Sequence, residues 1–343
     1  MDGNQNGIMS GKVLSSFETS TLAGNSANAP WIRITDYDAA HGWVNAGQSN
    51  ARAHWCCEQL EEGQILYFEG IPYDFPEADR QFLLQQRQSD SRIHKNISYR
   101  PKQDVLRGTA NDRPEDIQRL HQIMKHFSEE VTRLLTRVLV PYAPHWSLDF
   151  ASFRPEEENG RKLSLHKRND LLHVDAFPTR PTRGNRILRC FTNINPTRSR
   201  NWLTTDRFPA LAQQFAREAG LEEIARSGDS KDSWLNMLKR AVGMKVVNRS
   251  AYDKFMLRFH DYLKENSDFQ ENCNKIEIAF PPMATWMCYT DSVPHAVLSG
   301  QYALEQTFII PLRALVTPEK APIRVLEKMA GRSLAKEAAI QLA

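Results

Sequence analysis

Cysteine is scarce and follows no pairing pattern: the chain has five, Cys56, Cys57, Cys190, Cys273 and Cys288, an odd number with no CxxC spacing. Adjacent Cys56 and Cys57 cannot readily bridge to each other, so a reducing, cytoplasmic compartment is expected. Net charge is nearly absent too. Lys and Arg number 44 against 41 Asp and Glu, a formal +3, which is too little to mark a nucleic-acid protein. No nucleic-acid partner is therefore expected, and an anionic partner must be met by a local basic patch. The opening stretch MDGNQNGIMSGKVLSSFETSTLAGNSANAP has no basic region followed by an apolar run, so neither a secretory signal nor a membrane-spanning helix is expected and any membrane contact would be peripheral. Internal repeats are missing, as are low-complexity runs beyond that opening.

What remains has the composition of a folded protein. Apolar residues make up 41%, charged residues 25% and aromatic residues 9% of 343 positions, enough to bury one large core with additions. Residues 1–30, rich in Asn, Ser and Gly, read as a flexible leader, and 31–343 as a single domain. Gln64 to Glu69, between Gly63 and Gly70, looks like a strand followed by a turn at Pro72. Ile117, Leu120, Ile123, Met124, Phe127, Val131, Leu134, Leu135 and Val138 recur at helical spacing between Pro114 and Pro141, which predicts a long helix packed by one face on a sheet. Further helices are expected at Pro209 to Ala219, around Ser233 to Val242, and at Ala251 to Glu265 with Ser250 as N-cap. These interrupt strand-like runs at Arg186–Asn195, Lys275–Phe280, Ala284–Tyr289 and Leu304–Leu312. The pattern is an α+β chain with a mainly β core, of double-stranded β-helix (jelly-roll, cupin-like) type, with supporting helices and a helical insertion at about 205–270.

The sharpest chemical signal is Leu171-Leu172-His173-Val174-Asp175. On a strand, residues two apart project from the same face, so His173 and Asp175 can offer an imidazole and a carboxylate to one metal ion. Of the ten histidines, only His173 has a carboxylate two positions on. Such a pair is two-thirds of the 2-His-1-carboxylate set of non-haem Fe(II) oxygenases; its plain alternative is a strand-end hydrogen-bonding pair. His295 follows 122 positions later, opening an apolar strand after a polar turn, and a jelly-roll brings a late strand beside an early one. His260, on a predicted helix among Phe255, Met256 and Phe259, is a poorer third ligand; His166 could only flank the site.

A 2-oxoglutarate co-substrate needs a cation for its far carboxylate, and the planar fork of Arg suits it best. Ten positions after the distal His, where many such oxygenases carry a basic residue, stands Leu304-Glu305-Gln306-Thr307 instead. The strand Arg186 to Asn193 supplies other candidates: alternation groups Arg189, Phe191 and Asn193, which makes Arg189 the expected clamp with Asn193 beside it, Arg186 in reserve and Thr307 weaker.

Two stretches, HVDAFPTRPTRGNRILRCFTNINP and SVPHAVLSGQYALEQTF, resemble the Kdo hydroxylases of Gram-negative bacteria, and the likeness extends over most of the chain after the leader. It implies an Fe(II)/2-oxoglutarate-dependent dioxygenase that uses O2, with ascorbate a candidate accessory. It also implies hydroxylation at C3 of Kdo (3-deoxy-D-manno-oct-2-ulosonic acid) in Kdo2-lipid A, giving Ko, at the inner face of the inner membrane. A polyanionic substrate would be met by Arg154, Lys167, Arg168, Arg180 and Arg183, with Arg100 and Lys102 weaker candidates of the same type; each alone could equally be a solvated surface charge. Two other readings compete: an oxygenase acting on protein or nucleic acid, and a non-enzymatic jelly-roll binding anionic glycans. The stretch Ile323 to Ala330 is expected to be an amphipathic helix that packs on the fold or joins a homo-oligomer, with membrane contact as the alternative.

Overall fold

Alternation along one strand, Arg186–Asn193, divides the interior in two. Leu188 and Cys190 enter a large core beneath the helices, whereas Phe191 enters a second, smaller core on the opposite face. The computed structural model describes residues 29–89, 96–161, 163–227 and 247–335. Within them the strands are β1 (Trp31–Arg33), β2 (Tyr37–Asp38), β3 (Gly42–Trp43), β4 (Ile65–Phe68), β5 (Ile97–Arg100), β6 (Val105–Arg107), β7 (Ser147–Arg154), β8 (Arg186–Asn193), β9 (Arg200–Thr204), β10 (Ile276–Phe280), β11 (Thr285–Tyr289), β12 (His295–Ser299) and β13 (Ala303–Ile310). An eight-stranded sheet has the order β1-β4-β11-β8-β13-β7-β5-β6, and a three-stranded sheet the order β10-β9-β12.

The second core lies between these layers. Ile65, Tyr67, Phe191, Trp286 and Cys288 come from the large sheet, and Trp202, Ile278, Phe280 and Val297 from the small one. Phe280 and Trp286 stack at 3.9 Å and 3° across the gap. The chain thus forms the two-layered jelly-roll expected from its strand runs.

Helix Pro114–Val138 has the predicted bounds, with Pro at its start, and buries the stripe from Leu120 to Val138 against the outer face of the large sheet. Each aliphatic side chain so buried contributes roughly 1.5–3 kcal/mol. Ser128 adds a buried hydrogen bond from Oγ to Gln306 Oε1 of β13 (2.7 Å). Between β9 and β10 run helices Phe208–Phe215, Leu221–Ser227, Ala251–Glu265 and Ser267–Asn272. The predicted helix at Ser233 to Val242 lies outside the described residues, as does nearly all of the 1–30 leader.

Ser250 caps helix Ala251–Glu265, with Asp253 completing a capping box. Asp253 also accepts the backbone N–H groups of Thr182 (2.8 Å) and Arg183 (2.9 Å), so the helix start anchors the loop that follows Asp175. Gly184 in that loop has φ +94°, and a Cβ there would meet Ile323 at 2.5 Å. Ile323 belongs to helix Pro322–Ala330, whose Ile323 and Leu326 enter the main core. Of the roles expected for that helix, the structure shows packing within the chain.

Candidate metal centre

His173 lies on an extended segment that pairs with β12 at a single point. Its N–H donates to the His295 carbonyl (3.2 Å), and the His295 N–H donates back (2.9 Å). The predicted strand at Leu171 to Asp175 is therefore one isolated bridge, and Asp175 N–H turns away to the Thr290 carbonyl (2.7 Å). This exchange fixes the two imidazoles side by side, with ring centroids 4.7 Å apart. His173, Asp175 and His295 bring one ligand atom each to within 4.8 Å of one another.

The donor atoms suit a cation. Nδ1 of His173 lies 2.7 Å from the Leu171 carbonyl and Nδ1 of His295 lies 2.9 Å from that of Val293. A carbonyl can only accept, so each Nδ1 carries the proton and each Nε2 keeps a free lone pair. Those Nε2 atoms face Asp175, at 3.8 Å for His173 and 3.9 Å for His295. Asp175 Oδ2 is buried and accepts no hydrogen bond; the Arg189 guanidinium 3.3 Å away offsets its charge and leaves the oxygen open to a cation between the histidines. Burial and the opposing imidazole push His173 well below the ordinary histidine range, and burial lowers His295; both are neutral at pH 7. Burial alone would raise Asp175, but Arg189 and the histidines hold it well below the carboxylate range.

Two further rings pack the cluster. Trp202 of β9 stacks on His295 (5.2 Å, 23°). His260 meets His173 edge-on at 4.8 Å, and its Nδ1 donates to the Val174 carbonyl (2.8 Å). Histidine 260 therefore supports the ligand segment from outside the cluster, in keeping with its rejection as third ligand. His166 is exposed and bonds Glu265 (2.6 Å), so it does not flank the centre.

Arg189 lies between the centre and a buried line of alternating charges. Its guanidinium is 3.3 Å from Asp175 Oδ2 and 3.1 Å from Glu305 Oε1. Glu305 also accepts from Arg154 (2.8 Å), which is 3.8 Å from Glu158, and Glu158 lies 3.4 Å from Arg161 and 3.5 Å from Arg200. Glu305, ten positions after His295, thus holds the place where a basic residue was looked for, and the cations come to it from β8 and β7. Nothing in the sequence around Glu158 or Arg200 signalled their part.

The other candidates separate. Thr307 sits opposite Arg189 in the β13–β8 register, on the same face, with Oγ1 3.4 Å from Glu305. Arg186 is committed elsewhere: it is fully buried on the other face of β8, bonds Asp291 (2.9 and 3.3 Å) and Ser292 (2.6 Å), and lies 3.9 Å over the Tyr289 ring. It pins the turn leading to His295 and is no carboxylate clamp. Asn193 shares the Arg189 face but sits at the strand's far end. Its Nδ2 is taken by the carbonyls of Arg198, Phe280 and Pro281 at 3.0–3.1 Å, which removes it from the co-substrate. Arg154 is inside the charge line rather than open to solvent. Lys167 is exposed on a short 3₁₀ turn, Arg168 chelates Asp170 (3.0 and 2.5 Å), and Arg183 is exposed at φ +52°. Arg180 bonds Asp149 (3.0 Å) and stacks on Phe177 and Phe150. The five cations therefore do not converge as one group.

A jelly-roll whose two layers enclose a His-Asp-His cluster with a half-buried Arg beside it is the arrangement of a non-haem iron, 2-oxoglutarate-dependent dioxygenase. Residues 43–333 match the family described as 3-deoxy-D-manno-oct-2-ulosonic acid (Kdo) hydroxylase, and the chain belongs to that family. Crystal structures of the Kdo hydroxylase KdoO, a non-heme Fe(II) α-ketoglutarate-dependent dioxygenase, are similar to it. The complex with α-ketoglutarate and Fe(III) superposes with a TM-score of 0.77 and the apo form with 0.79, each at 31% identity over 92% of this chain and 100% of KdoO. A third structure holds succinate and Fe(III), with a TM-score of 0.76 at the same identity and coverage. No curated protein matches the chain.

Proposed function

We propose that this enzyme hydroxylates C3 of a Kdo residue in Kdo2-lipid A, giving Ko, with His173, Asp175 and His295 as iron ligands. The observation that carries the reading is the pair of uncommitted Nε2 lone pairs facing an Asp175 oxygen that accepts no hydrogen bond and is ion-paired to Arg189 at 3.3 Å, in a Kdo hydroxylase family member. Iron(II) held there, with 2-oxoglutarate and O2, supplies the power to insert oxygen into a C–H bond. The chain's own residues do the rest. Each histidine is held in one tautomer by its backbone carbonyl, so the ligand face is set before metal arrives. Arg189 and Thr307 hold the far carboxylate of 2-oxoglutarate, and Glu305, 3.1 Å from Arg189, is the resident counter-ion of that guanidinium. The wall of Phe191, Trp202 and Trp286 excludes water from the inner end of the site. Arg180 supplies positive charge toward the sugar, Arg154 acts through the charge line that holds Arg189 and Glu305, Lys167 and Arg183 face solvent near the anionic lipid, and Arg168 is held by Asp170.

The acceptor is a lipid, yet among the described residues no helix is long and apolar enough to cross a membrane. We therefore infer peripheral action at the inner face of the inner membrane. The test is mass spectrometry of Kdo2-lipid A after anaerobic iron loading and exposure to O2 with 2-oxoglutarate, with succinate quantified. A gain of one oxygen, about 16 mass units, in step with succinate is expected. Succinate without modified glycolipid would discard the sugar; neither product, from folded iron-loaded protein, would discard the oxygenase.

A further inference from the structure

The strand registers extend the inner face of the large sheet beyond the charge line. Arg189 opposes Thr307 across β8 and β13; Glu305, two residues from Thr307, opposes Ser152 of β7; and Ser152 opposes Ser98 of β5. Residues two apart on a strand share a face, so Arg100 and Phe150 lie on the same face as Arg189, toward the sheet edge formed by β5 and β6. There two guanidinium groups share one aromatic ring. The Arg100 Cζ is 4.9 Å and the Arg180 Cζ 4.2 Å from the centre of Phe150. Arg180 also lies 4.6 Å from Phe177, whose ring is 5.7 Å from the Arg189 Cζ. An unbroken path of cation and ring contacts thus leads from Asp175 through Arg189, Phe177, Arg180 and Phe150 to Arg100.

The charges on this path are unbalanced at its outer end. Asp149 partners Arg180 through Nε at 3.0 Å, but Arg100 has no carboxylate partner among the described residues and its Nε is buried without a hydrogen-bond acceptor. Two like charges held on one ring, with one counter-ion between them, favour an incoming oxyanion. Planar forks fit a carboxylate or a phosphate better than point charges do, and the aromatic faces of Phe150 and Phe177 suit the apolar C–H face of a sugar.

We propose that Arg100 and Arg180, presented on Phe150, form an acceptor-binding subsite for an oxyanion of the glycolipid, either a sugar carboxylate or a lipid phosphate, separate from the 2-oxoglutarate clamp. This rests on the functional reading above. The test is equilibrium binding of detergent-dispersed Kdo2-lipid A to the full-length chain, compared among the parent, Arg100→Gln, Arg180→Gln and Arg100→Lys, with KM for 2-oxoglutarate measured alongside.

Each Gln variant should weaken glycolipid binding about tenfold or more, as expected for loss of a charged hydrogen bond, with Arg100→Lys intermediate and KM for 2-oxoglutarate held. The parent's preference for the intact glycolipid over a carboxyl-reduced or a dephosphorylated one identifies the oxyanion, and the Gln variants should lose that preference. Equal affinity of parent and variants, or a parent indifferent to removal of both anions, would overturn the subsite. The second comparison needs no variant to fold. A parent that binds the glycolipid by this pair but never hydroxylates it would sink the functional reading and leave the subsite standing.

Discussion

Arg189 bridges Asp175 and Glu305, at 3.3 and 3.1 Å, so a metal-site carboxylate and the buried charge line share one guanidinium. The arrangement makes Arg189 both the cation that keeps Asp175 ionised and the nearest fork for an anionic co-substrate. Replacing it by Met should raise KM for 2-oxoglutarate about ten- to a hundredfold, the range for a lost charged hydrogen bond. Arg189→Lys should restore little of this, because a point charge cannot repeat the two-pronged contact. Steady-state kinetics with varied 2-oxoglutarate check it; an unchanged KM would move the clamp elsewhere.

His173→Ala removes one of the three proposed iron ligands while leaving the backbone bridge to His295 in place. Iron affinity should fall by more than the roughly 10–100-fold typical of losing a partner one layer out, and coupled succinate formation should stop. Retained far-UV circular dichroism would show that the fold survives. Wild-type turnover in this variant would remove His173 from the iron site.

Arg186 and Asp291 form a buried pair on the face of β8 away from the candidate metal centre. Arg186→Met leaves the Asp291 charge uncompensated and should cost about 3–5 kcal/mol of stability, measured by urea unfolding. The folded fraction should keep the parent's KM for 2-oxoglutarate, which a clamp residue could not.

Glu158 and Glu305 give the fold an acid limit. Burial raises both, but Arg200 and Arg154 beside Glu158, and Arg189 and Arg154 beside Glu305, bring each below the ordinary value of 4.5. The unfolded chain therefore takes up protons first as pH falls. The stabilisation is complete above 4.5 and is lost as pH drops from there toward the folded values. Thermal unfolding followed from pH 7 to pH 3 should show Tm falling below about 5, and Glu158→Gln should flatten that limb while lowering Tm at pH 7.

Local pattern carried much of the architecture. The stripe from Leu120 to Val138 has helical period, and Ser250 with Asp253 marks a helix start; both are properties of neighbouring residues, so they were legible. The His173-Asp175 spacing and the polar turn before His295 were legible for the same reason. The fate of each arginine was not. Arg186 and Arg189 are three apart on one strand and chemically identical, yet one is locked to Asp291 and the other opens on the metal centre, because that depends on what lies across each face.

By itself, then, the sequence determined the long helix at Pro114–Val138, the capped helix at Ala251–Glu265, the strands at β4, β8, β10, β11 and β13 and which side chains can ligate a metal, since these follow from backbone propensity, two-residue alternation and intrinsic donor chemistry; helix Ser49–Glu61 and strands β7 and β9 carried no such mark. Tertiary structure alone decided that Glu305 balances Arg189 and Arg154, that Asn193 is consumed by three carbonyls, that Trp202 stacks on His295, and that Arg100 comes onto the same sheet face as Arg189. Apart from the Arg198 carbonyl on Asn193, these pairings join residues many tens to more than a hundred positions apart. Cross-strand register and the stacking of the two sheets set them, and neither is written in any local stretch of the chain.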